Sequence, residues 1–253
     1  MPLTFPAHQA AVLPLKLRWP DRIDGTALCV AAAAPDLSYP VLLLEGHSLL
    51  GVAVFAIPLT LVACAVLRSG VARVVAANFP DLGPLRVRSY GVISARRPAF
   101  WQTLSSAVIG SVSHIAIDTL THADRFGARA LGLDRLAFVA PRLGPQTIAD
   151  VLQILGHSVG SLIGIALFVH IGRHRLLERW YGNEAVADAR SVRPELPQRL
   201  RFWAVAAITA ALMTLASWQV PVRHTFKIML GIVVGIGVAG WLGNLRSDHP
   251  DRI

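Results

Sequence analysis

Residues 103–122, with the sequence TLSSAVIGSVSHIAIDTLTH, combine an apolar run long enough to cross a bilayer with three ionisable side chains. These side chains are His114, Asp118 and His122, and their four-residue spacing places them on nearly the same face of a helix. Ionisable groups inside a membrane helix are costly and rare, and are usually functional when present. Two imidazoles and a carboxylate supply part of a ligand set for a divalent metal. The stretch therefore predicts a metal site built into a membrane helix.

The composition of the whole chain is that of a membrane protein. Of its 253 residues, 54% are hydrophobic and only 15% are charged, whereas about a quarter of the residues in soluble domains are charged. We predict an all-α, polytopic membrane helix bundle with about six hydrophobic helical regions, each close to the ~20 residues that span a bilayer. These regions are residues 23–44, 48–67, 103–120, 148–171, 203–220 and 226–242, the first being interrupted by Pro35, Asp36 and Pro40.

We expect one integral membrane domain over residues 1–253. Its parts are an N-terminal hairpin at residues 1–44, a core with the metal site at residues 45–171 and a C-terminal helix pair at residues 203–243. The two cysteines lie in apolar segments and predict no disulfide framework.

The distribution of Lys and Arg predicts the orientation in the membrane. The chain has a formal net charge of +9, but the charges lie in connections between apolar runs, which argues against nucleic acid as a partner. Six Arg residues lie in 68–102 and seven in 172–202. The positive-inside rule therefore places these two connections and the C-terminus in the cytoplasm, and the connection at residues 121–147 outside.

The first forty residues allow two topologies. Helices at residues 5–17 and 23–34 would form an antiparallel hairpin that brings His8 close to Asp36. A single span would instead leave the first 22 residues in the cytoplasm and separate His8 from the other candidate ligands. The hairpin is the favoured prediction.

Under the hairpin topology, seven candidate metal ligands share one depth near the outer leaflet. Five imidazoles and two carboxylates exceed what one tetrahedral zinc needs, and they are suited to one or two divalent ions, zinc or manganese, that activate water against an ester. A single histidine in a membrane helix is more often a packing residue, so the prediction depends on the set as a whole. The seven predicted ligands are His8, Asp36, His47, His114, Asp118, His122 and His157.

Several short motifs follow one another in the order of a known family. They are MPLTFPAH at 1–8, APD at 34–36, GHSLLG at 46–51, SHIAIDTLTH at 113–122 and Gln153-x-x-x-His157. Over roughly residues 1–240 the chain resembles the bacterial membrane proteins of domain-of-unknown-function family 4184. Its motif order is also similar to that of the inner-membrane metal-dependent hydrolases regulated with the DNA-damage response. The resemblance implies a multi-pass protein of the bacterial inner membrane.

A more distant similarity concerns the His-x-x-x-Asp step, which resembles zinc-dependent phospholipase C and related single-strand nucleases. Those enzymes carry a further His-x-x-x-Glu pair, whereas the residue four after His157 is Ser161. The departure argues against their full three-metal site.

Three classes of function remain open. The favoured one is a metal-dependent hydrolase that acts on a lipid-derived or membrane-proximal ester, with the lipid bilayer and a small-molecule or lipid substrate as partners. The second is a cation or proton transporter that uses the same residues. The third is a non-catalytic membrane protein whose buried polar cluster fixes helix packing.

Overall fold

A computed structural model describes residues 4–39, 46–141, 144–219 and 224–247 of the chain, and these residues are mostly helical. The predicted all-α class is confirmed. Contacts divide the chain into two compact units. The first comprises Met1–Asp36, Glu45–Thr60 and Trp101–Leu167, and the second comprises Leu37–Leu44, Leu61–Phe100 and Phe168–Ile253. The single integral domain stays a prediction.

The first unit begins with two short helices, α1 (Thr4–Arg18) and α2 (Gly25–Ala31), which pack against each other. Val12 of α1 forms a small apolar core with Leu28 and Ala32. Because the end of α1 pairs with the start of α2, the two helices are antiparallel. Two antiparallel short helices thus lie within residues 1–44, while the hairpin as a membrane topology stays a prediction.

Polar side chains close the turn of this hairpin. Asp24 caps α2 by accepting hydrogen bonds from two backbone N–H groups, and Lys16 Nζ donates to two backbone carbonyls of the turn. Helix α2 ends three residues before the predicted boundary at residue 34. Its end precedes a 3₁₀ turn at Pro35–Ser38, and the residues before a proline are disfavoured in the α conformation.

Two long helices follow, α3 (Leu49–Asn78) and α4 (Phe100–Thr121). Helix α4 turns a small and polar face towards α2. A Cβ atom at Gly110 would lie 2.6 Å from the carbonyl oxygen of Leu28, so only glycine allows this close approach. The buried face of α4 comprises Thr103, Ser106, Ala107, Gly110, Ser111, His114 and Asp118.

The connection between α4 and the next long helix is more structured than predicted. It contains a short helix, α5 (Phe126–Ala130), and two antiparallel strands, β1 (Leu136–Ala140) and β2 (Gly144–Thr147). This hairpin is a small exception to the all-α prediction. Helix α6 (Ile148–Arg173) begins directly after it.

The second unit contains the remaining helices. Two 3₁₀ segments lie at Gly83–Leu85 and Val87–Ala95, and the helices are α7 (Leu176–Tyr181), α8 (Asn183–Ser191), α9 (Leu196–Ala216) and α10 (His224–Ser247). Helices α9 and α10 pack closely against each other. A Cβ at Gly231 would lie 2.6 Å from the carbonyl oxygen of Ala210, so only glycine allows this approach. The predicted C-terminal helix pair corresponds to these two helices.

The two Arg-rich connections of the sequence are folded segments of this second unit. Arg190 pairs with Asp81 at 2.7 Å, and Arg73 pairs with Asp188 at 2.9 Å. These two pairs connect α8 to the end of α3 and to Asp81, which lies just after α3. Opposite charges and short helices thus replace the open loops that the sequence suggested.

Four helices among the described residues are long and apolar enough to cross a membrane, at Leu49–Asn78, Ile148–Arg173, Leu196–Ala216 and His224–Leu245. The chain is therefore a membrane protein by this criterion, while the predicted count of about six regions is not confirmed. Helix α4 covers the predicted region 103–120 and has 22 residues, but its polar face lowers its hydropathy. The region 23–44 contains only the short helix α2, and its residues 40–44 lie outside the described part of the chain.

Candidate metal centre

Two His and two Asp side chains meet in the first unit. Asp36 lies on the 3₁₀ turn after α2, His47 lies two residues before α3, and His114 and Asp118 lie one turn apart on α4. All four residues are buried, and one ligand atom from each lies within 4.8 Å of the others. We call these four residues the inner cluster. Its composition could hold a divalent metal ion.

The distances within the inner cluster match those around a tetrahedral ion. His47 Nε2 lies 3.1 Å from Asp36 Oδ1 and 3.3 Å from Asp118 Oδ2. His114 Nε2 lies 3.5 Å and 3.3 Å from the same two oxygens, and the two Nε2 atoms are 3.3 Å apart. Bonds of 2.0–2.1 Å to a tetrahedral zinc place neighbouring ligand atoms about 3.3–3.4 Å apart. The four residues therefore fit such an ion with little rearrangement.

His114 is oriented as metal-binding histidines usually are. Its Nδ1 donates a hydrogen bond of 2.8 Å to the carbonyl oxygen of Ala32, which leaves Nε2 as the ligand atom in the neutral ring. The residue is 0% exposed. This contact depends on the close approach of α4 to α2 at Gly110, one turn before His114.

The electrostatics of the inner cluster favour positive charge. Burial lowers the pKa of the His47 imidazole, but hydrogen bonds to Asp118 and Asp36 outweigh burial, so the pKa of His47 is raised above its usual value. Two buried carboxylates thus attract a proton in the same place where they would attract a metal ion. Because a bound metal must displace such protons, its affinity is expected to increase with pH.

Three further histidines surround the inner cluster. His8 stacks on His114 with ring centroids 4.0 Å apart, and its Nε2 lies 3.9 Å from Asp118 Oδ1. The ring of His157 lies edge-on to that of His8 at 6.2 Å. His122 Nδ1 lies 3.9 Å from Asp118 Oδ1, and 31% of the His122 side chain is accessible.

The model of the family described as "Domain of unknown function (DUF4184)" matches residues 1–245 of the chain. The chain belongs to the DUF4184 family. No curated protein and no solved structure matches it.

All seven predicted ligands of this DUF4184 protein are close neighbours in the structure. Four of them form the inner cluster, whereas His8, His122 and His157 line its outer edge. Their role as ligands stays a prediction, as does the identity of the ion.

Two contributors to the site lie outside the predicted set. The carbonyl oxygen of Ala32 orients His114, and Gln153 Nε2 contacts His122 Nε2 at 2.9 Å. Every residue has a backbone carbonyl, so the sequence does not indicate which one accepts a hydrogen bond from His114. The Gln153-x-x-x-His157 spacing could have indicated the role of Gln153, because residues four apart lie on one helix face.

Proposed function

We propose that this protein is a membrane-embedded, metal-dependent hydrolase that acts on a lipid-derived or membrane-proximal ester. The proposal depends on one observation, which is the set of 3.1–3.5 Å distances among the ligand atoms of the inner cluster. Two carboxylates balance the charge of a divalent ion, and zinc or manganese suits this mixture of oxygen and nitrogen ligands.

The protein residues would hold the ion and shape access to it. A divalent ion supplies two effects, since it polarises the ester oxygen and lowers the pKa of a water molecule. Water adds to the ester carbon or phosphorus, the bond to the alcohol oxygen breaks, and the alcohol leaves with a proton. The partly exposed side chains of Gln153 and His157 mark the side from which substrate would reach the inner cluster.

The apolar surroundings of the site favour a lipid-like substrate. Leu49 and Leu50 are the first two residues of α3, and they are 74% and 67% exposed. Leu155 and Val159 flank His157 on α6 and are also exposed. Because α3 and α6 are candidate membrane spans, these side chains would face acyl chains rather than water. A substrate with an acyl tail could therefore diffuse laterally to the site.

The proposed location is the bacterial inner membrane, with the site in the outer half and the C-terminus in the cytoplasm. The Arg distribution supports this orientation. The similarity in motif order to inner-membrane metal-dependent hydrolases supports the activity.

Metal content and hydrolysis test the proposal together. The full chain, purified in mild detergent, is expected to retain stoichiometric zinc or manganese by elemental analysis and to cleave acyl or phosphate esters with chromogenic leaving groups. Metal without hydrolysis, but with ion flux in liposomes, would make the protein a transporter. Absence of metal would leave the inner cluster as a packing element and would overturn the proposal.

The matched variants are His47→Ala and His224→Ala. His47 belongs to the inner cluster, whereas His224 lies at the start of α10 and stacks on Trp218 at 4.3 Å in the second unit. Only His47→Ala should lose metal and hydrolysis.

A further inference from the structure

Asp118 offers its two carboxylate oxygens to two different sets of histidines. Its Oδ2 faces His47 and His114 of the inner cluster, at 3.3 Å from each Nε2. Its Oδ1 faces the opposite set and lies 3.9 Å from both His8 Nε2 and His122 Nδ1. A carboxylate that presents one oxygen to each of two nitrogen sets is suited to bridge two cations.

His8 presents its Nε2 to the second side of Asp118. The 3.9 Å separation between its Nε2 and Asp118 Oδ1 is too long for a hydrogen bond, but it lies within the ~4.1 Å that two metal bonds of 2.0–2.1 Å can span. Its Nδ1 is buried and has no hydrogen-bond partner among the described residues. A buried imidazole without hydrogen bonds is costly, and a cation held by Nε2 would give this ring a strong partner on the side of Asp118.

His157 lies beside His8, and a backbone hydrogen bond determines which of its ring nitrogens can bind a cation. Its Nδ1 donates a 2.7 Å hydrogen bond to the carbonyl oxygen of Gln153 and leaves Nε2 as an acceptor. Helix α6 approaches α1 closely because Gly164 has no side chain, since a Cβ there would overlap the carbonyl oxygen of Pro6. The hydroxyl of Ser161, one turn after His157, is a further buried polar atom without a partner in the described part of the chain.

Both ring nitrogens of His122 contact other groups of the protein. Gln153 Nε2 donates to its Nε2 at 2.9 Å, and its Nδ1 lies 3.2 Å from the backbone carbonyl oxygen of Asp118. With both nitrogens engaged, His122 acts as a positioning residue between α4 and α6 rather than as a ligand.

We infer that a second cation binds between Asp118 Oδ1, His8 and His157, and that Asp118 bridges it to the ion in the inner cluster. This inference rests on the proposed function. The inner cluster supplies four protein ligands, which is the pattern of a closed position, whereas the second position has three and leaves room for water or substrate. Ions bridged in this way lie ~3.5–4 Å apart and act on the same ester. The second ion would therefore be the one that meets the ester, on the side of the partly exposed His157.

Metal stoichiometry tests the second position directly. The full chain loaded with Mn²⁺ and freed of excess is expected to retain two ions, and its electron paramagnetic resonance spectrum should show exchange coupling. His8→Ala and His157→Ala should each retain one ion and lose the coupling. His170→Ala removes a histidine from the exposed His170–His174 pair at the far end of α6 and should retain two.

The possible results separate this inference from the proposed function. One ion in the wild-type chain, unchanged in His8→Ala and His157→Ala, would overturn the second position, and ester hydrolysis by that one-ion protein would show that the proposed function does not depend on it. No ion in the wild-type chain would overturn both. If His8→Ala does not fold, the partly exposed His157 provides the same comparison, and two ions retained in His157→Ala would exclude it as a ligand.

Discussion

At the scale of single residues, Asp118 is central to the site. It contacts both histidines of the inner cluster, and it faces His8 and His122 with its other oxygen. A buried carboxylate surrounded by imidazoles can serve as a metal ligand or as one member of a hydrogen-bonded packing network. The two roles differ in what the loss of its charge does to the protein.

Asp118→Asn keeps the size of the side chain and removes its charge. If Asp118 holds a cation, we expect the variant to lose bound metal while its thermal transition in detergent changes little. If the cluster serves packing alone, the change strands buried partners and lowers the free energy of unfolding by ~3–5 kcal/mol. Elemental analysis and a melting curve distinguish these results. Asp124→Asn, at an exposed position six residues further on, is the control, and metal retained in an unstable Asp118→Asn protein would contradict the role of Asp118 as a metal ligand.

Gln153→Leu tests the positioning role of a second residue. The change removes the 2.9 Å hydrogen bond to His122 Nε2 and frees that ring to rotate, because its remaining contacts are longer. We expect the number of bound ions to be unchanged and kcat for ester hydrolysis to fall about 10-fold to 100-fold, the usual effect of losing a residue that orients part of a metal site. Loss of an ion would instead make His122 a ligand. Gln146→Leu, in β2, is the matched control.

At the scale of elements, small residues set the approach of the helices that carry the site. Gly110 lets α4 contact α2, and Gly164 lets α6 contact the start of α1. These contacts place His114 on the carbonyl of Ala32 and bring His157 to His8. Close packing of this kind tolerates no added methyl group without a shift of the backbone.

Gly110→Ala should separate α4 from α2. The new Cβ would lie 2.6 Å and 2.7 Å from backbone and side-chain atoms of α2, so the helices must move and the hydrogen bond of His114 lengthens. We expect a loss of about 1–3 kcal/mol in stability together with weaker metal binding, measured by thermal unfolding and by competition with a chelator. Gly237→Ala on α10 is the control, because an ideal Cβ there meets nothing within 4 Å in the described residues. Equal metal affinity in both variants would contradict the dependence of the site on this packing.

At the scale of the whole molecule, four candidate spans and the Arg-rich segments 68–102 and 172–202 define an expected orientation. Ion pairs within the second unit neutralise part of this positive charge, as Arg190 with Asp81 and Arg73 with Asp188 show. The remaining Arg residues still outnumber the acidic ones in these segments. The positive-inside rule counts Lys and Arg rather than net charge, so the pairs do not change the prediction.

Reporter fusions test this orientation. A cytoplasmic reporter fused after Ile253 should be active, whereas a periplasmic reporter inserted after Gly132, in the connection between α4 and α6, should be active from outside. The connection lies next to Asp118, so its position also locates the site. Reversed activities would place the site at the inner leaflet and would contradict the proposed access from the outer half.

The sequence by itself determined the membrane class, the long helices and the residues of the candidate site. Apolar length predicts helices in lipid because every backbone polar group must be satisfied within the segment, and the spacing of His114 and Asp118 places them on one face before any tertiary contact forms. It also supplied Asp36, His47, His8 and His157 as candidates, because ionisable groups in apolar segments are conspicuous. The exact number of spans was less predictable, since the polar face of α4 and the short α2 weaken the hydropathy signal.

Only the tertiary structure decided which candidates share a position. Asp36 and His47 lie on short non-helical segments, whose geometry no periodicity predicts, and their distances to His114 depend on the contact at Gly110. The carbonyl of Ala32 and the split of Asp118 between two sets of histidines have no sequence signature at all. Distances of 3.1–3.5 Å arise when several segments pack against each other, and packing is a property of the assembled unit rather than of any one segment.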